Sequence, residues 1–151
     1  MSYDNSMRLG RTVVAWLPAI IWMAFIFYLS AQSRPLGEKP SPTFAYVAHL
    51  GEYAVLAVLL FWAQLARGSW KGNLALGLAL SFLLSAAYAA SDEWHQSFVS
   101  GRDASPLDFG TDVAGAAVAL LVIGRWGQPF LWRQVRYRRI VFPADPKHDR
   151  P

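Results

Sequence analysis

The sequence predicts an all-α integral membrane protein, built as a bundle of four transmembrane helices. Hydrophobic residues make up 54% of the 151 residues and charged residues only 16%, whereas soluble domains carry about 25% charged residues. The charges leave four long apolar segments between them, and a helix of about 20 apolar residues crosses the hydrocarbon core of a bilayer. The chain has no cysteine, which excludes disulfide bonds and thiolate chemistry.

The first apolar segment, residues 12–31, contains no charged residue. A cleaved signal peptide would have a shorter apolar region, of about 7–15 residues, followed by a small-residue cleavage site. This segment is longer and rich in Trp and Phe, which favours a membrane-spanning helix. The following link, residues 32–41, contains Pro35, Gly37 and Pro40 and is predicted to be a loop.

Three further helices are predicted, at residues 42–66, 73–91 and 106–123. Ser105 is a plausible N-cap for the last of these helices, and Pro106 suits its first turn because the missing N–H would be unpaired there. Residues 67–72 form a predicted tight turn, and residues 96–105 form a polar loop that contains Gly101.

The distribution of Lys and Arg predicts the orientation in the membrane. Four spans place both termini and the 67–72 turn on one side, which holds eleven basic residues, whereas the other side holds three. The side that is richer in Lys and Arg is normally cytoplasmic. The eleven are Arg8, Arg11, Arg67, Lys71, Arg125, Arg133, Arg136, Arg138, Arg139, Lys147 and Arg150, and the three are Arg34, Lys39 and Arg102. Both termini are therefore predicted to be cytoplasmic.

The predicted domain organisation is a membrane domain at residues 1–126 followed by a basic, aromatic cytoplasmic tail at residues 127–151. The tail interleaves Arg with aromatic residues at 130–142 and ends in a polar, Pro-containing stretch that we expect to be partly disordered. Such a segment suits anionic lipid headgroups. Because topology accounts for the basic charge, no nucleic-acid partner is expected.

Unusual polar residues collect at the outward ends of all four predicted spans. Seven of the ten acidic residues lie on this side: Glu38, Glu52, Asp92, Glu93, Asp103, Asp108 and Asp112. Ionisable groups within membrane spans are costly and mark functional sites. One shared polar site at the outer face therefore explains these residues more simply than four separate exceptions.

The second helix places His49 and Glu52 three residues apart on one face, with Tyr53 nearby. At 1.5 Å per residue, Glu52 lies about 13 Å along the helix, at the level of the hydrocarbon core. A carboxyl group there must face the bundle interior or a wet cavity. The alternative interpretation is a buried hydrogen bond between His49 and Glu52 that only fixes helix packing.

The third and fourth helices contribute further candidates. If the third helix continues past Ser91, Asp92 shares a face with His95 and Gln96, while Glu93 lies about 100° away. Asp108 and Asp112 share a face of the fourth helix, and the small residues 113–117 after them permit close helix approach. For the third helix, the alternative is a solvated helix end, in which these groups act as caps or pair with Arg102. For Asp108, the alternative is the favourable position of a carboxylate near a helix N-terminus, whereas Asp112 lies one turn deeper.

Arg102 is the cation beside this acidic set. It could bind a phosphate or carboxylate in bidentate fashion, or it could form a salt bridge to Asp103 or Asp108. The cluster itself suits acid–base catalysis, or a divalent metal held by mixed nitrogen and oxygen ligands. The candidate catalytic residues are His49, Glu52, Asp92, Glu93, His95 and Asp112. The candidate substrate-binding residues are Gln32, Tyr53, Gln96, Arg102 and Asp108.

Several sequence elements together resemble the VanZ-like family of small bacterial membrane proteins. These elements are residues 27–33 (FYLSAQS), 49–53 (HLGEY), 88–96 (YAASDEWHQ) and 98–105 (FVSGRDAS), followed by Asp108 and Asp112. The resemblance covers roughly residues 12–123, and Ser100 stands where many members have proline. It implies a multi-pass protein of the bacterial inner membrane. The family takes its name from a protein of a glycopeptide-resistance cluster that lowers susceptibility to teicoplanin.

Three functional hypotheses remain open at this point. The first is an enzyme that acts on a lipid or a lipid-linked envelope substrate, with Glu52, Glu93 and His95 in acid–base or metal roles. The second is a non-enzymatic binder or transporter of a lipid headgroup, a lipophilic antibiotic such as a glycopeptide, or an ion. The third is a scaffold, in which the polar residues only lock the bundle together. Membrane lipids are the expected partners in each case.

Overall fold

The computed structural model describes residues 3–33, 41–67, 73–102 and 104–127, and these residues form four α-helices. Helix α1 spans Tyr3–Ser30, α2 spans Pro42–Arg67, α3 spans Leu74–Gln96 and α4 spans Pro106–Trp126. Each helix is long and apolar enough to cross a membrane. The predicted all-helical, four-span fold is confirmed. The predicted tail beyond Gly127 lies outside the described residues, as do residues 34–40 and 68–72.

The helices alternate in direction along the bundle. Arg102, just after α3, bonds to the end of α1, and His49 near the start of α2 bonds to Asp112 near the start of α4. The end at which α1 and α3 finish and α2 and α4 begin is called the polar end here. Helix α2 packs against all three other helices, most extensively against α4. Among the described residues, α1 touches α3 only briefly and does not touch α4.

Two apolar clusters form the core. One joins α1, α2 and α3 and is built from Ala19, Ile26, Tyr53, Leu56, Leu60 and Ala89. The other joins α2 and α4 and is built from Ala57, Phe61, Ala116 and Leu120. Only 17–28% of the residues in each span are buried inside the bundle. The outer surface is therefore largely apolar side chains, as a lipid-facing surface must be.

The helix ends follow ordinary capping chemistry. The Ser105 hydroxyl accepts hydrogen bonds from the backbone N–H groups of Leu107 and Asp108, and Pro106 occupies the first turn. This confirms the predicted start of α4. Helix α3 extends five residues beyond the apolar segment, to Gln96, and Ser97 caps it with an N–H that points back to the Glu93 carbonyl. The polar residues after Ser91 are thus helical.

Candidate functional site

A histidine–aspartate pair joins α2 to α4 inside the bundle. Nδ1 of His49 lies 3.0 Å from Oδ1 of Asp112. The Asp112 side chain is fully buried, and the His49 side chain is 14% exposed. Two predicted catalytic residues, 63 positions apart in the chain, are therefore in direct contact. The alternative interpretation of the sequence is a hydrogen bond between His49 and Glu52. In the structure His49 contacts Asp112 instead.

The closeness of this pair depends on Gly115. A Cβ atom at Gly115 would collide with the backbone carbonyl of Leu50, the residue directly after His49. The two helix backbones are therefore in contact one turn from the His49–Asp112 pair. The expectation that the small residues 113–117 permit close approach is confirmed, and this contact sets the distance between the imidazole and the carboxylate.

The end of α3 supplies two carboxylates that point to different neighbours. Because the helix continues to Gln96, Asp92 and Gln96 share a face, and Nε2 of Gln96 donates to Oδ2 of Asp92 at 2.9 Å. Oε2 of Glu93 accepts a 2.7 Å bond from the backbone N–H of Ser105. Glu93 thus stabilises the start of α4, where the helix dipole favours a negative charge.

Charged groups from α2, α3 and the loop after α3 interact with Glu52. Its carboxyl interacts electrostatically with His49, Asp92 and Arg102. The Glu93 carboxyl interacts in the same way with Asp108, His49 and Asp92. The predicted grouping of these side chains is therefore reproduced in space. A change in charge at one of them acts on the others.

Tyr53 lies at the centre of this group. Its side chain is completely buried, its ring centroid is 6.3 Å from that of Tyr88, and its hydroxyl interacts electrostatically with Asp92 and Asp112. Tyr53 therefore belongs to the interior of the site, where a small ligand group could reach it only from within the bundle.

Five buried polar atoms at the polar end have no hydrogen-bond partner among the described residues. They are the Tyr53 hydroxyl, Oδ1 of Asp92, Oε1 of Glu93, Nδ1 of His95 and Oδ2 of Asp112. Buried polar groups are normally hydrogen-bonded, because an unmade bond costs about 1–3 kcal/mol. Three of the five atoms are carboxylate oxygens, which accept hydrogen bonds when ionised. The cluster can therefore take up hydrogen-bond donors or protons.

His95 lies apart from the His49–Asp112 pair, against α1. Its ring packs edge-on to the Phe27 ring with a centroid separation of 4.3 Å. It lines an open groove of about 480 Å³ beside the end of α1. The other residues that line the groove are Phe27, Tyr88, Ser91, Asp92, Trp94, Phe98 and Val99. Asp92 thus belongs both to the interior cluster and to this groove.

Arg102 ties the loop after α3 to the end of α1. Its Nε donates to the carbonyl of Gln32 at 3.0 Å and its Nη2 donates to the carbonyl of Leu29 at 2.9 Å. The Gln32 amide donates to the carbonyl of Tyr28. The Ser33 hydroxyl donates to the carbonyl of Ser100 in the same loop. These backbone carbonyls therefore fix the position of the Arg102 guanidinium, and its positive charge acts on Glu52.

The described side chains do not form a metal-ligand group. No group of three or more His, Asp or Glu side chains in residues 3–33, 41–67, 73–102 and 104–127 is arranged to hold a metal ion.

Two side chains that sequence reasoning missed fix α1 beside the site. The Trp22 indole N–H donates to the Glu52 carbonyl at 2.9 Å, and the Tyr88 hydroxyl donates to the Met23 carbonyl at 2.6 Å. Tyr88 precedes Asp92 by four residues, so helical spacing alone could have identified it. No local pattern marks Trp22, because its acceptor is a backbone carbonyl.

A comparison with protein families decides the classification of the chain. The model of the VanZ/LLP1 family matches residues 15–127. The chain belongs to the VanZ/LLP1 family. Neither a curated protein nor a solved structure matches the chain.

The VanZ/LLP1 match includes every candidate site residue, from Gln32 to Asp112, and all the helices from Ala15 onward. Together with four helices of membrane-spanning length and composition, it makes this chain a multi-pass membrane protein. The resemblance seen in the sequence is therefore confirmed. The catalytic and substrate-binding roles of the individual residues remain predictions.

Proposed function

We propose that this VanZ-like protein acts on a lipid or lipid-linked component of the bacterial cell envelope, through acid–base chemistry at its polar end. The observation that carries the proposal is the His49–Asp112 pair, together with buried carboxylate oxygens of Asp92, Glu93 and Asp112 that have no partner in the described part of the chain. A cluster that only locked helices together would have its hydrogen bonds made, since open bonds weaken the bundle.

The His49–Asp112 pair has the geometry of a general base and its orienting group. An ionised Asp112 carboxylate can only accept a hydrogen bond, so it holds the hydrogen on Nδ1 of His49. Nε2 of the imidazole then keeps its lone pair and can accept a proton from a substrate hydroxyl or water. Glu52 stands three residues from His49 on the same helix and supplies a second proton-binding group.

A lipid-type substrate is supported by the position of the site. The polar end lies at the ends of membrane-spanning helices, and it adjoins a groove walled by aromatic side chains. A soluble substrate would not need such a wall. The excess of Lys and Arg on the opposite side of the membrane supports a site that faces outward from the inner membrane, and a link to teicoplanin susceptibility would follow the family's namesake.

The direct test is a set of conservative variants in a strain that lacks this gene. Glu93→Gln retains an oxygen for the Ser105 N–H, so the folded protein should persist while the lipid profile or glycopeptide susceptibility returns to that of the deletion strain. His49→Gln and His95→Ala should behave in the same way. Fluorescence-detected size-exclusion chromatography measures the folded protein, and lipid mass spectrometry measures the phenotype.

A scaffold role gives the opposite result, in which each phenotype falls only in proportion to the loss of folded protein. Arg125→Gln is the matched control, because Arg125 lies in the last turn of α4, at the other end of the bundle. It should change neither the folded protein nor the phenotype.

A second candidate function, a binder or transporter of a lipid headgroup, lipophilic antibiotic or ion, is favoured by the open groove at His95. A binder would retain its ligand in the Glu93→Gln and His49→Gln variants and would show no product in the lipid profile of the wild-type strain. Product accumulation that depends on His49 would exclude this candidate.

The outward orientation of the site has its own test. The absence of cysteine permits single-cysteine labelling in intact cells. A membrane-impermeant thiol reagent should modify Ser97→Cys and Gly37→Cys, whereas Trp70→Cys should react only after the membrane is permeabilised. The reverse pattern would place the polar end on the cytoplasmic side.

A further inference from the structure

The groove beside the end of α1 has an aromatic lining with one carboxylate. Phe27, Tyr88, Trp94 and Phe98 contribute rings, and Asp92 contributes the carboxylate. The volume of about 480 Å³ lies within the range of small-ligand sites, about 300–1,000 Å³. The groove is therefore large enough for a lipid headgroup and the first part of its chain.

Several hydrogen-bond donors near this groove are already used within the protein. The Tyr88 hydroxyl donates to the Met23 carbonyl, and the Ser91 hydroxyl donates to the Tyr88 carbonyl. The backbone N–H groups of Phe98 and Val99 donate to the carbonyls of His95 and Gln96. The groove therefore offers a ligand aromatic ring faces, the Asp92 carboxylate and the His95 ring, whose Nδ1 has no partner among the described residues.

Asp92 provides the strongest of these acceptors. Its side chain is 3% exposed, and only Oδ2 is bonded, to Gln96. Oδ1 has no partner in the part of the chain that the structure describes. A buried carboxylate with an open oxygen calls for a cation or a strong donor. Among the residues that line the groove, none is Lys or Arg.

Exposure of the aromatic side chains indicates where the ligand comes from. Phe27, Trp94 and Phe98 are 51%, 70% and 73% exposed. Large aromatic side chains of this kind gather at the membrane–water boundary, where one part of the ring is apolar and the other is wet. Phe27 also belongs to the apolar span of α1. The groove is thus continuous with the lipid-facing surface.

We propose that this groove binds the ammonium headgroup of a membrane lipid. Aromatic faces attract ammonium groups through cation–π interactions, and the carboxylate of Asp92, which lines the groove, supplies the opposite charge. The acyl part of the lipid would follow the apolar surface at Phe27. The inference rests on the proposed function in that Asp92 belongs to both sites, and it names an ammonium lipid as the class of molecule that reaches the polar cluster.

The test measures lipid retention directly. The full-length protein is reconstituted in nanodiscs with equal amounts of phosphatidylethanolamine, which carries an ammonium group, and phosphatidylglycerol, which does not. Native mass spectrometry then counts the lipids that stay bound. The expected result is a preference for phosphatidylethanolamine that falls about fivefold in Trp94→Leu, the loss expected for one cation–π contact of about 1 kcal/mol.

Three further variants keep the test decisive. Phe98→Leu changes an exposed side chain outside the helices and should also reduce the preference for phosphatidylethanolamine. Trp126→Leu is the control, because Trp126 is about as exposed as Trp94 but lies at the end of α4 away from the polar end. It should leave the preference unchanged. Asp92→Asn, analysed on folded protein only, should abolish it. Equal retention of the two lipids by the wild-type protein, or an unchanged ratio in Trp94→Leu, would overturn the inference.

Two other outcomes would overturn it as well. If millimolar choline chloride binds to the groove as well as the lipid does, the ligand is a soluble amine. If the protein in nanodiscs is dimeric and Trp94→Leu makes it monomeric, the groove is covered by a second copy.

The failure of this inference is distinguishable from the failure of the proposed function. No lipid preference together with a Glu93→Gln phenotype removes the groove site alone. A lipid preference together with a silent Glu93→Gln removes the acid–base function alone.

Discussion

Both halves of the bundle bury polar side chains, but these side chains are hydrogen-bonded to different extents in the two halves. In the half away from the polar end, Gln64 donates to the Ser81 hydroxyl at 2.7 Å, Ser81 donates to the Gly77 carbonyl, and Ser85 donates to the Ser81 carbonyl. At the polar end, five buried polar atoms lack a described partner. The buried polar side chains of the first half thus bond to one another or to backbone, whereas those of the polar end do not all find a partner among the described residues.

The largest loss of stability is expected when the His49–Asp112 pair at the polar end is broken. Asp112→Ala removes the carboxylate that His49 contacts, and breaking a buried pair costs about 3 kcal/mol or more. The free energy of unfolding, measured by titration with a denaturing detergent in mixed micelles, should fall by about this amount. The double variant His49→Ala/Asp112→Ala should lose less than the sum of the two single variants, because the pair is removed as a unit. Additive losses would contradict the contact.

The next largest effect is expected from a comparison of one glycine in each half of α4, Gly115 and Gly124. A Cβ at Gly115 would collide with the Leu50 backbone, whereas a Cβ at Gly124 would meet only the end of the Leu78 side chain, at 3.1 Å. Gly115→Ala should therefore lower the free energy of unfolding by about 1–3 kcal/mol. Gly124→Ala should be near neutral, since the Leu78 side chain can move and alanine favours the helix. The measurement is the same unfolding titration. Equal losses would show that the close approach of α4 to the α2 backbone at Gly115 carries no greater cost than the α3–α4 contact at Gly124.

A smaller effect is expected at the loop that closes the polar end. Arg102→Ala removes two hydrogen bonds to the end of α1, and a hydrogen bond to a charged group contributes about 1.5–3 kcal/mol when it is not fully solvated. Because Arg102 is half-buried, a loss of about 1 to 2 kcal/mol is expected, with faster proteolysis in the loop at residues 97–105. Arg125→Ala, at an exposed residue, is the control and should change neither quantity.

The smallest effect is expected in the satisfied half. The double variant Gln64→Leu/Ser81→Ala removes a polar pair completely, and replacing both partners by apolar groups is nearly neutral. The coupling energy from the full mutant cycle should be about 0.6 kcal/mol, the average for hydrogen bonds between membrane helices. The lipid phenotype should not change. A lost phenotype in a folded double variant would extend the functional site into this half.

The apolar segments of the sequence predicted the helices well because hydrophobicity reports directly on the membrane. The end of α3 shows the limit of that signal. Hydropathy falls at Asp92, but the backbone hydrogen bonds of the helix continue to Gln96, since helix formation does not require apolar side chains. The extension matters, because it places Asp92 and Gln96 on one face and turns Glu93 towards α4.

Most of the polar side chains that converge at the polar end could be predicted, but their pairings could not. Helical spacing gives the face on which His49 lies, but not the rotation of α2 relative to α4, so Asp112 could not be selected over Glu52 as its partner. The bonds of Arg102 were also beyond prediction, because their acceptors are the backbone carbonyls of Leu29 and Gln32, which no side-chain pattern marks. The cytoplasmic position of the termini stays a prediction from the basic residues.

Glu52 combines two independent contributions in one residue. Its backbone carbonyl accepts the Trp22 indole and anchors α1, while its side chain lies among the charges of the polar end. Any amino acid supplies the same carbonyl. A substitution at position 52 therefore changes the charges of the polar end while the bond that anchors α1 stays in place, so the electrostatics of this end and the architecture of the bundle are set by separate parts of one residue.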